Sequence, residues 1–328
     1  MFDFETYLAG QKNLVDAALR AWLSRAHVIP PVLSDAMRHS VFNGGKRLRP
    51  VLLLAAASAC GLPRGKAMPA ACAFELVHSF SLVHDDLPAL DNDALRRGKP
   101  TTHKVFGEAA AILAGDALLL AAFELMAATG PKPERALRAS ALLASAAGAA
   151  GMTGGQTADL FAEGLPKESR RLSRLKKERA ACAANKLSYF LLPGDSKPAP
   201  DKVLEYIHLH KTAALLAAPL EAGAVLAGAP KKTIRALRAF GLYCGLAFQI
   251  SDDILDVCGD KKLLGKRGSD RDNEKLTYVS LYGLERSRKM VYSLLLRAKK
   301  RLDGLQGIRA SKLKPLYGFA DFLGRRAY

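Results

Sequence analysis

Six aspartates in two short clusters carry the chemistry open to this 328-residue chain. The first cluster is His84-Asp85-Asp86-Leu87-Pro88-Ala89-Leu90-Asp91, with three carboxylates directly after an apolar run. The second, far downstream, is Gln249-Ile250-Ser251-Asp252-Asp253-Ile254-Leu255-Asp256. Acids embedded in apolar surroundings are unfavourable unless something positive neutralises them. Two clusters that each begin with an Asp pair read as two walls of one site for hard divalent cations.

Spacing separates the two walls. Asp252 and Asp256 are i and i+4, so one helix face projects both. Asp85 and Asp91 are six apart, which on a continuous helix would set them about 240° from each other. Pro88 disfavours helical geometry at Leu87. The spacing therefore predicts a helix that ends or kinks there, with the following loop returning Asp91 toward Asp85.

Cations stand near the acids in two more stretches. Asn43-Gly44-Gly45-Lys46-Arg47-Leu48-Arg49-Pro50 frees the backbone for a tight turn and puts three cations at a helix start. It suits a phosphate, and equally an ordinary basic helix entry. Leu95-Arg96-Arg97-Gly98-Lys99-Pro100-Thr101 follows the first acid cluster. Its guanidinium groups can bind polyanions bidentately, or simply pair with Asp91 and Asp93. His78 lies seven residues before Asp85, two turns back on nearly the same face.

Helices must position these groups. Ala and Leu dominate, alternating β-branched runs are scarce, and mean hydropathy is near neutral, so the expected class is all-α. The pattern predicts a helix over 3–24 with Leu8, Leu14, Val15, Ala18, Leu19 and Trp22 inward, and a second over 32–42. A third is expected from Pro50 to Ala59 and a fourth over 67–87, running into the first Asp cluster. The length is ample for one large core.

Bulk features narrow the function classes. The net charge of +18 is concentrated in 167–198, with nine Lys/Arg against three acids, and in 285–328, with twelve against three. The charge is thus peripheral to both Asp clusters, and no nucleic-acid partner is expected. The N-terminus lacks a basic-then-apolar secretion pattern. The most apolar stretch, Ala109 to Ala128, is interrupted by Asp116 and Glu124, so no membrane span is expected. Five scattered cysteines show no paired or metal-ligand spacing and read as reduced thiols of a cytoplasmic protein.

The run from His84 to Asp93 with Leu95-Arg96-Arg97-Gly98-Lys99-Pro100-Thr101 resembles the first Asp-rich motif of trans-isoprenyl diphosphate synthases, the polyprenyl synthetase family. The second motif agrees: Phe248 to Asp256, then Leu264-Gly265-Lys266 and Lys275-Leu276-Thr277-Tyr278. Gly44 to Pro50, Gly154-Gly155-Gln156 with Asp159, and His210-Lys211-Thr212 also match, in family order. The whole resembles bacterial-type farnesyl/geranylgeranyl diphosphate synthases.

The resemblance implies a single-domain helical bundle of the isoprenoid synthase type over 1–328, with a central active-site cavity. It implies magnesium, three ions per active site, with Asp85, Asp91 and Asp252 as ligands and Asp86, Asp253 and Asp256 as ligands or their supports. Arg96, Lys211, Lys266 and Lys275 match positions that bind the allylic diphosphate. Lys46, Arg49, His78 and Arg97 match the isopentenyl diphosphate site. Thr212 and Gln249 match polar groups near the reacting carbons, and Gln156 falls in the matching Gly-Gly-Gln motif. The family's reaction ionises the allylic diphosphate and joins its carbon to isopentenyl diphosphate. A homodimer is likewise implied.

Phe80, five residues before Asp85 and about 7.5 Å down the helix, together with Ser81, resembles farnesyl synthases, with geranylgeranyl synthases as the alternative. The expected product is therefore farnesyl diphosphate. Residues 167–198 read as a basic insertion, and the tail Gly324-Arg325-Arg326-Ala327-Tyr328 as a segment able to close over the diphosphates. A terpene cyclase would not need Lys46 and Arg49, and a non-catalytic homologue would generally lose one Asp motif; this chain keeps both.

Overall fold

The computed structural model describes residues 2–24, 29–130, 132–162, 200–258 and 276–326. The expected insertion at 167–198, Lys266 and Lys275 lie outside these residues. The described chain is helical but for one two-stranded hairpin, β1 (Leu95–Arg96) and β2 (Lys99–Pro100), paired antiparallel. The helices are α1 (Phe4–Leu23), α2 (Pro31–Phe42), α3 (Leu48–Ala59), α4 (Arg64–Asp85), α5 (Thr102–Phe106), α6 (Glu108–Ala127) and α7 (Pro133–Ala147). They continue as α8 (Met152–Ala162), α9 (Pro200–Ile207), a π-helical turn π1 (His208–Ala213), α10 (Ala214–Ala227) and α11 (Lys231–Cys258). α12 (Tyr278–Tyr282), α13 (Leu284–Asp303) and α14 (Ala310–Arg326) follow.

Local chemistry sets several boundaries. Asp3 caps α1 by accepting the Glu5 N–H at 3.0 Å. Pro31 opens α2 with its fixed φ, where a missing N–H costs nothing. α3 begins two residues earlier than the sequence predicts, because Arg47 adopts a left-handed φ of 53° and starts the helix at Leu48. In α1 the inward face holds Leu8, Val15 and Leu19, with Ala18 and Trp22 half-buried; Leu14, expected inside, is exposed.

The hydrophobic interior forms two large clusters that share α3 and α10. Leu52 and Ala56 of α3 face one cluster with α11, α13 and α14, including Phe240 and Phe319. Leu53, Leu54 and Ala57 face the other with α1, α2, α4 and α6, including Phe74 and Leu118. α10 divides in the same way, with Leu216 and Leu220 on one side and Leu215 and Ala222 on the other. Each fully buried Leu or Phe contributes roughly 1.5–3 kcal/mol, and this central pair fixes α4 and α11 relative to each other. By length and composition α6 is apolar enough to cross a membrane, which the sequence reading did not expect. In this fold it packs against α4, α2, α5 and α7.

Candidate active site

The first acid wall is the C-terminal end of α4. The helix stops at Asp85, and the chain doubles back until the Asp91 N–H donates to the Asp85 carbonyl at 2.9 Å. Asn92 completes the reversal with φ of 50°. The predicted break and the return of Asp91 are both present. Asp86 is buried and accepts from Arg96 Nε at 2.8 Å and again from Nη2. Arg96 also reaches Asp93 at 3.2 Å. The Arg96 pairing left open by the sequence thus falls on Asp86 and Asp93, held by the hairpin whose turn is Arg97-Gly98.

Asp85 is electrostatically strained. Burial pushes its carboxyl up to about 6, neighbouring Asp91 and Asp86 push the same way, and Lys211 and Arg96 oppose them. A nearby cation would relieve that strain. Among the described residues no three acids, histidines or cysteines converge closely enough to hold a metal unaided. The carboxylate oxygens nevertheless fit magnesium, which takes one or two carboxylates and fills its remaining positions with water and substrate phosphate.

The second wall is built by π1 and α11. π-Helical turns are rare overall but frequent at functional sites, and π1 carries His210, Lys211 and Thr212. Lys211 pairs with Asp159 of α8. That approach requires Gly155, where a Cβ would lie 2.1 Å from the Lys211 backbone nitrogen. Gln156, next along α8, has a buried Oε1 with no partner. Thr212 Oγ1 donates to Gln249 Oε1 at 2.7 Å, tying π1 to α11. One and two turns beyond Gln249, half-buried Asp252 and Asp256 follow on α11. Lys211 acts electrostatically on Asp85 of the first wall, and its neighbour Thr212 is bonded to α11 of the second.

Asp253 has different surroundings. Its carboxylate is buried, accepts the Tyr278 N–H at 2.9 Å and lies 4.0 Å from His208 Nε2. It anchors the start of α12.

A third group is cationic. Gly44 and Gly45 turn with φ of 94° and 121°, and Arg97 donates to the Gly44 carbonyl. A Cβ on Gly45 would lie 2.5 Å from Arg97 Nη1, so glycine is what admits the guanidinium. Arg49 Nε and His78 Nδ1 are buried without partners. Burial, reinforced by Arg49, Arg97, Arg47 and Arg96, holds the His78 imidazole neutral, well below its usual pKa. Burial also lowers Arg49 to about 10, against the pull of Glu75. Lys46 is exposed, with its Nζ 5.0 Å from the Phe322 ring centroid. An unpartnered guanidinium N–H amid surplus positive charge fits an anion.

Arg47 does not join them. It is 4 % exposed and bonds Asp16 and Glu75, each at 2.7 Å, and the Val41 carbonyl. Of the three cations after the glycine turn, it is the structural one. Ser81 Oγ bonds back to the His78 carbonyl at 2.9 Å. The Phe80 ring meets His84 edge-on at 4.8 Å, and His84 Nε2 lies 3.1 Å from the Ile112 carbonyl, so this side of α4 faces α6. Residues that sequence reasoning gave no role here are Asp16, Glu75, Tyr278 and Phe322. All act on partners at least 25 positions away except where helix geometry joins them, and spacing carries no signal for that.

A polyprenyl synthetase family model matches residues 30–306. The chain belongs to the polyprenyl synthetase family. It is similar along 99 % of its length, at 41 % identity, to geranylgeranyl pyrophosphate synthase 7 of Arabidopsis thaliana, covering 84 % of that protein. It is 42 % identical to a dimethylallyltranstransferase of Fischerella ambigua over its whole length and 85 % of that protein. Among solved structures it resembles the apo FPP/GFPP synthase of Zymomonas mobilis at 31 % identity and a TM-score of 0.75, covering 97 % of this chain and 98 % of that one. Family and relatives together make the chain a prenyltransferase that condenses isoprenyl diphosphates.

Proposed function

We propose that this prenyltransferase joins isopentenyl diphosphate to allylic primers and carries the chain to geranylgeranyl diphosphate. The observation that supports a two-diphosphate reaction most directly is the separation of two cationic groups. Arg49, His78, Lys46 and Arg97 form one, in which Arg49 Nε and His78 Nδ1 are buried without partners. Lys211 and Arg96 form the other, beside the acids. The first suits the isopentenyl diphosphate and the second the allylic leaving group. Magnesium bound at Asp85, Asp91, Asp252 and Asp256 would neutralise the leaving diphosphate. Lys211 and Arg96 orient that diphosphate through charge-assisted hydrogen bonds. The Thr212–Gln249 pair presents oriented dipoles, which stabilise developing positive charge without a strong nucleophile.

Relatives such as the Arabidopsis geranylgeranyl pyrophosphate synthase support the twenty-carbon product. Phe80 favours the farnesyl reading, although its ring packs on His84 toward α6. Incubating the full chain with magnesium, labelled isopentenyl diphosphate and each primer in turn tests both. Geranylgeranyl diphosphate as the end product is expected. Extension stopping at farnesyl diphosphate would favour the Phe80 reading, and absence of magnesium-dependent condensation would refute the proposal. A second copy of the chain is the proposed cover for Ile112, Leu113 and Leu120 of α6 and Leu137 of α7, all exposed. Loss of the dimer in a Leu113→Asp/Leu120→Asp variant, read by sedimentation, is the expected result.

A further inference from the structure

The charge of +18 is far more than two diphosphate pockets require, and α13 carries a concentrated share of it. Its buried stripe, Ser287, Val291, Leu295, Ala298 and Leu302, packs on α11 and α14. The opposite face exposes Lys289, Arg297 and Lys300, while Arg286, also exposed, stacks over the Tyr282 ring at 4.9 Å. No Asp or Glu occurs between Arg286 and Leu302. The acids at the two helix ends are engaged locally, Glu285 with Arg288 at 2.9 Å and Asp303 with the Tyr317 hydroxyl. Lys299 pairs with Asp321 and Arg301 reaches Tyr243, so neither is counted in the outward face. A merely solvated helix normally intersperses acids four residues from its lysines and arginines. This face has none.

Two large apolar side chains accompany the cations. Tyr292 is 65 % exposed and Leu296 45 %, one turn apart and flanked by Lys289 and Lys300. Cations with an exposed aromatic and an aliphatic side chain fit a lipid interface, where charge meets anionic headgroups and the apolar groups enter the acyl boundary. A nucleic acid would use the cations and leave Leu296 without a role. α13 packs on α11, α12 and α14, away from the exposed apolar face of α6 and α7.

We propose that the outer face of α13 docks the protein peripherally on an anionic lipid bilayer. The full chain should co-sediment with vesicles containing phosphatidylglycerol and not with pure phosphatidylcholine vesicles, and added salt should release it. Lys289→Glu/Arg297→Glu/Lys300→Glu should weaken that binding about a hundredfold or more, with condensation of soluble substrates unchanged. Tyr292→Ser/Leu296→Ser should weaken it severalfold while preserving the salt dependence. Reversing Lys66, Lys104 and Lys132, exposed on other faces, should leave binding within about twofold. Equal loss in that control would overturn the proposal, since overall charge would then suffice. Absence of vesicle binding by the unaltered chain would overturn it too, as would binding of duplex DNA or RNA by this face without vesicle binding.

Discussion

Phe322, on the last helix, lies with its ring 5.0 Å from the ammonium of Lys46, and so joins α14 to the glycine turn that opens α3. Lys46 is exposed on a flexible stem, and a cation over an aromatic face gains about 0.5–2 kcal/mol. Phe322 thereby restricts the orientations open to Lys46. Phe322→Leu should raise KM for isopentenyl diphosphate about threefold to tenfold, with kcat and the allylic KM nearly unchanged, and Phe322→Tyr should restore it. Phe319→Leu, in the same aromatic cluster around Phe4, controls for packing loss. A KM rise equal in both variants would refute the positioning role.

Asp252 is half-buried on α11, whereas its neighbour Asp253 is buried against Tyr278 and His208, and their variants should diverge. Asp253→Asn weakens an acceptor for the buried Tyr278 N–H, at a cost of about 1–3 kcal/mol. Its thermal midpoint should fall while the magnesium dependence of the rate stays as in the parent. Asp252→Asn should do the reverse, with a normal melt and a rate lower by orders of magnitude. Titrating magnesium against initial rate, beside a calorimetric scan, separates the two.

That divergence marks where the sequence stops speaking. Pro88 makes the break at the end of α4 legible, because a ring that excludes helix at Leu87 acts over one residue. The shared face of Asp252 and Asp256 is legible for a similar reason, a fixed helical period. The role of Asp253 is not, since it depends on Tyr278 arriving from 25 positions away. Arg47 was indistinguishable from Lys46 and Arg49 by type, and only its pairing with half-buried Asp16 and buried Glu75 commits it to structure. The all-α class was readable from composition, but the division of α3 and α10 between two cores required packing that periodicity does not encode.

Gly155 should tolerate no side chain. A methyl there would sit 2.1 Å from the Lys211 nitrogen and 2.6 Å from its Cα, both backbone atoms. Gly155→Ala must push α8 from π1, which costs about 1–3 kcal/mol or more and pulls Asp159 from Lys211. Gly10→Ala, with open space around it, should be neutral or stabilising. Urea unfolding of both, with activity assays, checks this; equal stability would refute the close approach.

Acid should destabilise the fold through His208. Burial drives its imidazole down to about 3 despite Asp159 nearby, and Nδ1 has no partner. The folded form therefore holds His208 neutral, while an unfolded histidine takes a proton near 6.5. Between those values the unfolded state binds more protons, so stability is present above 6.5 and falls as pH drops toward 3. The slope from one such group is at most about 1.4 kcal/mol per pH unit. Asp85, raised to about 6, works oppositely, because its folded form takes up a proton before the unfolded one does. Comparing the parent with His208→Phe cancels that contribution. Denaturant midpoints measured from pH 7 to pH 4 should fall more gently in the variant, and parallel curves would show that His208 is not the group responsible.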